Sequence, residues 1–152
     1  MKEQEILERQ NRAEELFRQG FNCSQSVVAA CADIYGIDPS LALRLGASFG
    51  GGIGRMRQTC GAACGMFLLA GLHNGSIVPH DTEGKMNNYR TVQTLAVAFR
   101  QEHGSLVCAE LLGLAKPENS PVPEQRTGSY YKKRPCVEMV RSAVGIYCEQ
   151  LL

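Results

Sequence analysis

Apolar residues recur three and four positions apart through most of this chain, and capping residues and glycines punctuate the runs. Residues 3–19 set Ile6, Ala13, Leu16 and Phe17, with Leu7 at the margin, along one side of a charged amphipathic helix that Gly20 stops. Asn22 suits the N-cap of a second helix running from Cys23 to about Tyr35, with Val27, Val28, Ala30 and Ile34 inward and Gly36 at its end. Asp38-Pro39 starts a short third helix, because proline is tolerated at the first helical position. Its Leu41, Leu43 and Leu45 lead into a glycine-rich stretch.

Beyond that stretch, Thr59 is the expected N-cap of a helix from Cys60 to about Leu72. Ala62, Ala63, Met66, Phe67, Leu68, Leu69 and Ala70 make it apolar on most sides, which predicts a buried central helix. Asp81 or Thr82 opens a long helix to about Glu102, with Tyr89, Val92, Leu95, Ala96 and Phe99 at helical spacing and Gly104 beyond. Ser105 is placed to cap a short helix carrying Cys108, Leu111 and Leu112, and Gly113 ends it. Between Leu114 and Arg134 no period emerges, and Pro117, Pro121 and Pro123 predict an irregular loop, with Tyr130 and Tyr131 beside Lys132, Lys133 and Arg134 as a candidate flap. Pro135 then starts a last helix in which Val137, Val140, Val144, Tyr147 and Leu151 alternate three and four apart. No strand-type alternation or solenoid repeat interrupts this pattern, so the expectation is an all-α bundle of about six to seven helices.

The chain has 152 residues, which suits one domain spanning 1–152 with a sizeable core of its own. Its 16 basic and 15 acidic residues leave a net charge of +1, so no global field draws it to nucleic acid or to an anionic membrane. No apolar run approaches the ~18 residues of a membrane span, and the start Met1-Lys-Glu-Gln-Glu lacks a signal peptide's apolar segment. A cytoplasmic location is therefore expected. The apolar central helix and the Cys108 segment suggest a surface for a second subunit, hence a homodimer.

Seven cysteines change the picture: a reducing compartment disfavours static disulfides, so their number leans toward thiol or metal chemistry, with buried cysteine as a small hydrophobe the alternative. Cys23, Cys60, Cys108 and Cys136 each fall in the first turn of a predicted helix, whereas Cys31, Cys64 and Cys148 lie mid-helix or later. Unpaired amides and the helix dipole at such a start favour a thiolate. Cys60 stands out, since it follows Gly50, Gly51, Gly52 and Gly54, precedes Gly61, and has Arg55 and Arg57 just upstream. Cys60 and Cys64 also lie four apart, on one helix face.

Phe21-Asn-Cys23-Ser-Gln-Ser, the box Cys60-Gly-Ala-Ala-Cys-Gly65 after Gly50-Gly-Gly-Ile-Gly-Arg55, and then Cys108 and Cys136 resemble the C_GCAxxG_C_C family of redox-active proteins. The resemblance runs from about residue 12 to the C-terminus. Here the box cysteine precedes its glycine, the reverse of the order in the family's name, and Cys31, Cys64 and Cys148 are extra to the pattern. The resemblance implies redox activity at Cys23, Cys60, Cys108 and Cys136, without a defined substrate or electron partner.

Three functions compete. In the first, those four cysteines are either thiol pairs or the ligands of zinc or an iron–sulfur cluster. In the dithiol form Cys60 is the expected nucleophile, with Cys23 or Cys64 resolving the mixed disulfide. No C-x-x-C or C-x-x-C-H occurs to localise a ligand pair or a covalently held haem. In the second, Gly51, Gly52, Gly54 and Arg55 hold an anionic small molecule and the cysteines only pack, although neither G-x-G-x-x-G nor a P-loop is present. The third is a structural helical dimer. His73, His80 and His103 add no Ser-His-Asp or paired-carboxylate arrangement, and His103 is expected as an exposed helix-end residue.

Overall fold

A computed structural model describes residues 1–114 and 120–152. Among the described residues the chain is all-α. The helices are α1 (Glu3–Arg18), α2 (Cys23–Cys31), α3 (Pro39–Gly46), α4 (Gly61–Asn74), α5 (Thr82–His103), α6 (Cys108–Leu111), α7 (Gly128–Lys133) and α8 (Cys136–Leu151). Two 3₁₀ turns, Ala32–Tyr35 and Ala47–Phe49, extend α2 and α3. The strand-like pairing found is one antiparallel bridge between Thr59 and Val107.

Local chemistry explains most boundaries. Asn22 Oδ1 accepts from Gln25 N at 2.9 Å while Gln25 Oε1 accepts from Asn22 N at 3.0 Å, a reciprocal capping box at the start of α2. Asp38 caps α3 ahead of Pro39, and Asp81, rather than Thr82, caps α5 through Gly84 N at 2.9 Å. The expected helix through Tyr35 tightens to 3₁₀ after Cys31 and stops at Gly36, whose φ of +68° suits a residue without Cβ.

Three expectations are corrected. Thr59 does not cap α4; Cys60 itself is the N-cap, because Thr59 is drawn into the bridge with Val107. Ser105 lies outside α6, which Val107 precedes, and its hydroxyl accepts from Val107 N at 2.9 Å instead. The stretch expected to be irregular contains α7, started by Thr127, whose hydroxyl accepts from Tyr130 N at 3.4 Å. Residues 115–119, part of that same stretch, lie outside the described residues.

The core gathers Phe17 from α1, Val27 and Val28 from α2, Met66 and Leu69 from α4, Leu95 and Phe99 from α5, and Val140, Val144 and Tyr147 from α8, all fully buried. Helix α4 packs on α2, α5 and α8, with Phe67 and Leu68 only partly buried and Leu72 exposed. The box glycines set the α2–α4 approach. A Cβ on Gly65 would stand 2.7 Å from Val27 Cβ, and one on Gly61 would overlap Cys23 Sγ and lie 2.8 Å from the Phe49 carbonyl oxygen. His103 is not exposed: its Nε2 meets Ser142 Oγ at 2.8 Å and its ring packs on Phe99.

Candidate functional site

The glycine-rich stretch is a left-handed turn. Gly51, Gly52, Ile53, Gly54 and Arg55 all have φ between +57° and +76°, and Arg57 follows at +60°. Hydrogen bonds from Gly54 N to Ser48 O at 2.7 Å and from Gln58 N to Gly52 O at 2.8 Å hold the turn closed. Its outgoing carbonyls take over helix capping: Cys108 N donates to Gln58 O at 2.6 Å and Ala109 N to Arg57 O at 3.2 Å. Cys60 N donates back to Leu106 O at 2.7 Å, so the loop aligns the starts of α4 and α6 against each other.

Three of the sequence-predicted cysteines are the first residues of their helices, namely Cys23 of α2, Cys108 of α6 and Cys136 of α8, and Cys60 is the N-cap of α4. They come together around Cys23, whose thiol lies close enough to act electrostatically on Cys60, Cys108 and Cys136, and also on Cys64. Cys31 and Cys148 are elsewhere in the fold, buried in the core.

A cavity of about 290 Å³ opens next to this group, with Cys23 in its wall. Of the predicted loop residues, Gly51, Gly54 and Arg55 line it. Gly52 does not: it lies beneath Cys108, where a Cβ would stand 2.6 Å from Cys108 Cβ. Arg57, Glu124, Arg126 and Arg134 supply further charge to the wall, and Phe17 and Tyr130 its aromatic part. Arg55 Nη1 donates to Ser120 O at 2.9 Å, which ties the glycine turn to the segment preceding α7. Arg126 donates to the carbonyl oxygens of Phe17 and, at 2.8 Å, Phe21, with its guanidinium 4.1 Å from the centre of the Phe17 ring. Tyr130 and Tyr131 also pack on that ring, so the described part of the expected flap is a strap held down on α1. Arg126 escaped sequence reasoning because nothing periodic surrounds it.

Burial dominates the acidity of the thiols. It holds Cys60 well above the ordinary thiol range, Cys23 adds to the effect, and the Ala63 and Ala62 N–H groups oppose it. Burial pushes Cys64 up to about 11 and Cys136 up to about 12. Cys108 is raised by burial too, against the pull of Arg57, whose Nη1 donates to its sulfur at 3.7 Å. The expectation of an acidic Cys60 is thereby corrected. With only 6% of its surface exposed, desolvation outweighs the first-turn amides, and Arg57 serves Cys108 while Arg55 reaches Ser120. Cys23, by contrast, is only half-buried and faces the cavity.

Four thiols are a suitable donor set for zinc or an iron–sulfur cluster. Among the described residues, however, no group of three or more Cys, His, Asp or Glu side chains is arranged to hold a metal ion. The geometry does not fit a metal centre as it stands.

An all-α chain that gathers helix-start cysteines beside a cationic cavity is, by fold and site, a cysteine-cluster protein. The profile of the family described as "Putative redox-active protein (C_GCAxxG_C_C)" matches residues 21–150, and the chain belongs to that family. Helix α1 precedes the matched region. Comparison with curated proteins and with solved structures finds no match. No helix among the described residues is long and apolar enough to cross a membrane.

Proposed function

We propose that the chain performs thiol–disulfide exchange on an anionic disulfide, with Cys23 as the substrate-facing nucleophile and Cys60 as its resolving partner. The observation that carries this reading is the position of Cys23: half-buried, in the cavity wall, with its sulfur packed over Gly61 beside the Cys60 N-cap. The cavity's described lining holds Arg55, Arg57, Arg126 and Arg134 against Glu124, so its field favours an anion.

In the exchange, the Cys23 thiolate attacks one sulfur of the substrate disulfide; a Cys23–substrate disulfide forms, the substrate S–S bond breaks, and the departing thiolate takes up a proton. Cys60 then loses its proton and attacks the Cys23 sulfur, which expels the second substrate thiol and leaves a Cys23–Cys60 disulfide. Two electrons pass to the substrate, and an external dithiol returns them. The high proton affinity of Cys60 keeps it protonated until the mixed disulfide forms. Cys108, beside Arg57, and Cys136 are the second pair within reach of the first.

The test uses anaerobically reduced protein, with glutathione disulfide as the anionic probe and cystamine as a cationic one. Expected are reversible loss of two thiols, a mixed disulfide trapped on Cys23 in the Cys60→Ser variant, and faster reaction with the anionic probe. No adduct on Cys23 and no reversible oxidation overturns the reading in favour of an anion-binding module on Gly51, Gly54 and Arg55. Iron with acid-labile sulfide, or zinc, lost on replacing any of Cys23, Cys60, Cys108 or Cys136, overturns it in favour of a metal–thiolate site.

A further inference from the structure

The wall of the Cys23 cavity is made in two pieces. One is the glycine turn, with Gly51, Gly54 and Arg57; the other is the segment 120–134, with Arg126, Tyr130 and Arg134. This second piece is tied into a unit. Glu124 pairs with Arg134 at 2.5 Å, the Thr127 hydroxyl caps α7, and Arg134 N donates to Tyr130 O at 2.9 Å. No side chain of residues 120–132, nor that of Arg134, is fully buried, whereas α1, α2, α4, α5 and α8 supply the core. A segment with so little buried surface is among the first to open locally.

The bonds that hold this strap gather at the end of α1. Arg126 donates to the Phe17 and Phe21 carbonyl oxygens, and its guanidinium lies 4.1 Å from the centre of the Phe17 ring and 5.5 Å from that of Tyr130. Tyr131 OH donates to Arg18 O at 3.4 Å. Phe17 and Arg18 belong to the last turn of α1, whose terminal carbonyls and dipole favour a cation. Arg126 therefore closes the end of α1 and lines the cavity at once. Its hydrogen-bond partners among the described residues are neutral carbonyls, so its charge still acts on whatever enters. At its other end the strap meets the glycine turn through the Arg55–Ser120 bond.

We propose that residues 120–134 form a lid over the Cys23 cavity, that Arg126 is its latch on the end of α1, and that a small carboxylate-bearing ligand seated between Arg126 and the glycine turn holds the lid shut. The lid rests on the reading of this cavity as the site of an anionic substrate, and it controls how that substrate enters and stays. In the closed form both walls touch the ligand; with the lid raised, only the turn does. A ligand with that difference binds the closed form more tightly and shifts the population toward it. A guanidinium carries more N–H donors than two carbonyls use, so Arg126 can hold a carboxylate without leaving its latch. At about 290 Å³ the cavity takes a small molecule and not a folded protein surface.

The experiment follows hydrogen–deuterium exchange of the reduced full-length chain by mass spectrometry, with and without S-methylglutathione. This probe carries two carboxylates but neither thiol nor disulfide. Calorimetry first gives its dissociation constant. At about ten times that constant, exchange in peptides covering 120–134 is expected to slow about tenfold, while the loop between α4 and α5, which does not line the cavity, is unchanged. In Arg126→Gln the strap is expected to exchange faster without the probe and to gain no protection from it. Pyrene maleimide, bulky and neutral, is expected to label Cys23 severalfold faster in that variant than in wild type. Failure of the probe to bind, or strap exchange in wild type unmoved at saturation, would overturn the proposal, whatever the folding of the variant. So would equal labelling of Cys23 in both chains. A mixed disulfide on Cys23 without strap protection sinks the lid and leaves the exchange reaction standing; strap protection without any adduct on Cys23 does the reverse.

Discussion

Replacing the glycines of α4 one at a time by alanine separates packing from chemistry. On helix propensity alone each change stabilises the helix, by about 1 kcal/mol at an interior position. At Gly65 the new Cβ meets Val27 Cβ at 2.7 Å, Val27 Cγ1 at 2.9 Å and Ser24 O at 3.3 Å. Val27 is fully buried and its Cβ is fixed to the backbone, so relief requires α2 to move. Overpacking of this kind costs about 1–3 kcal/mol; set against the propensity gain of about 1 kcal/mol, the expected net loss is about 0–2 kcal/mol. In a chain of this size the melting temperature then falls by up to about 8 °C. At Gly61 the new Cβ collides with Cys23 Sγ, which can rotate away, but it also sits 2.8 Å from Phe49 O and 3.2 Å from Gly50 Cα, backbone that must shift, so stability falls as well and the sulfur leaves its place over Gly61. Gly71 of the same helix has nothing within 4 Å of an added Cβ, and Gly71→Ala is the control expected to raise stability by roughly 0.5–1 kcal/mol. Thermal melts followed by circular dichroism, with the rate of mixed-disulfide formation at Cys23, report both quantities. A Gly65→Ala chain that melts as high as Gly71→Ala, or a Gly61→Ala chain with unchanged Cys23 reactivity, would refute the reasoning.

Ser24 Oγ is fully buried with no hydrogen-bond partner among the described residues, so Ser24→Ala should raise stability by about 1 kcal/mol in urea unfolding; a loss of that size would mean that its hydroxyl has a partner. Asp33 is lowered, chiefly by its hydrogen bond from Arg9, so its contribution is present above the unfolded-state value and disappears as pH falls through the folded one. Asp33→Asn should therefore lower stability at pH 7 and flatten its decline below about pH 4; an unchanged acid limb would show that other carboxylates set it. Arg57→Met, which keeps the backbone strain at that position, removes the cation opposing burial at Cys108 and should shift Cys108 alkylation to higher pH, as peptide mapping across a pH series would show; a shift to lower pH would contradict the assigned cause.

What was legible in the sequence were the signals that act over three or four residues. Asn22, Asp38-Pro39 and Asp81 mark real helix starts, and the Asn22 cap places Cys23; Cys60 and Cys108 fall at helix starts although Thr59 and Ser105, the caps expected for them, do not cap there. Signals set by tertiary contact were not legible. Cys60 is enclosed by elements distant in sequence, and that enclosure reverses the effect that its helix N-terminus would have in water. Arg126 acts through the carbonyls of Phe17 and Phe21, more than a hundred positions away, and no local pattern encodes such a pairing. The α7 segment lacks apolar periodicity because six residues are too few to display it.

The left-handed turn shows why the cluster needs its glycines. Ile53, Arg55 and Arg57 have side chains yet positive φ, at roughly 1–2 kcal/mol each, and Ile53 is β-branched, the least tolerant kind. Glycine at 51, 52 and 54 keeps that strain from doubling, and at 52 it also leaves room for Cys108. What the strain accomplishes is visible at α6. A helix of four residues has no stability of its own, and no side chain caps it. The amides of Cys108 and Ala109 instead donate to the turn's Gln58 and Arg57 carbonyls, while Cys60 N reaches back to Leu106 O. Without the turn those first amides would lack acceptors, α6 would fray, and Cys108 would lose its fixed position beside Arg57 and the Cys60 N-cap. Backbone strain in this loop and the placement of two cysteines are therefore one structural fact, and relieving the first is expected to loosen the second.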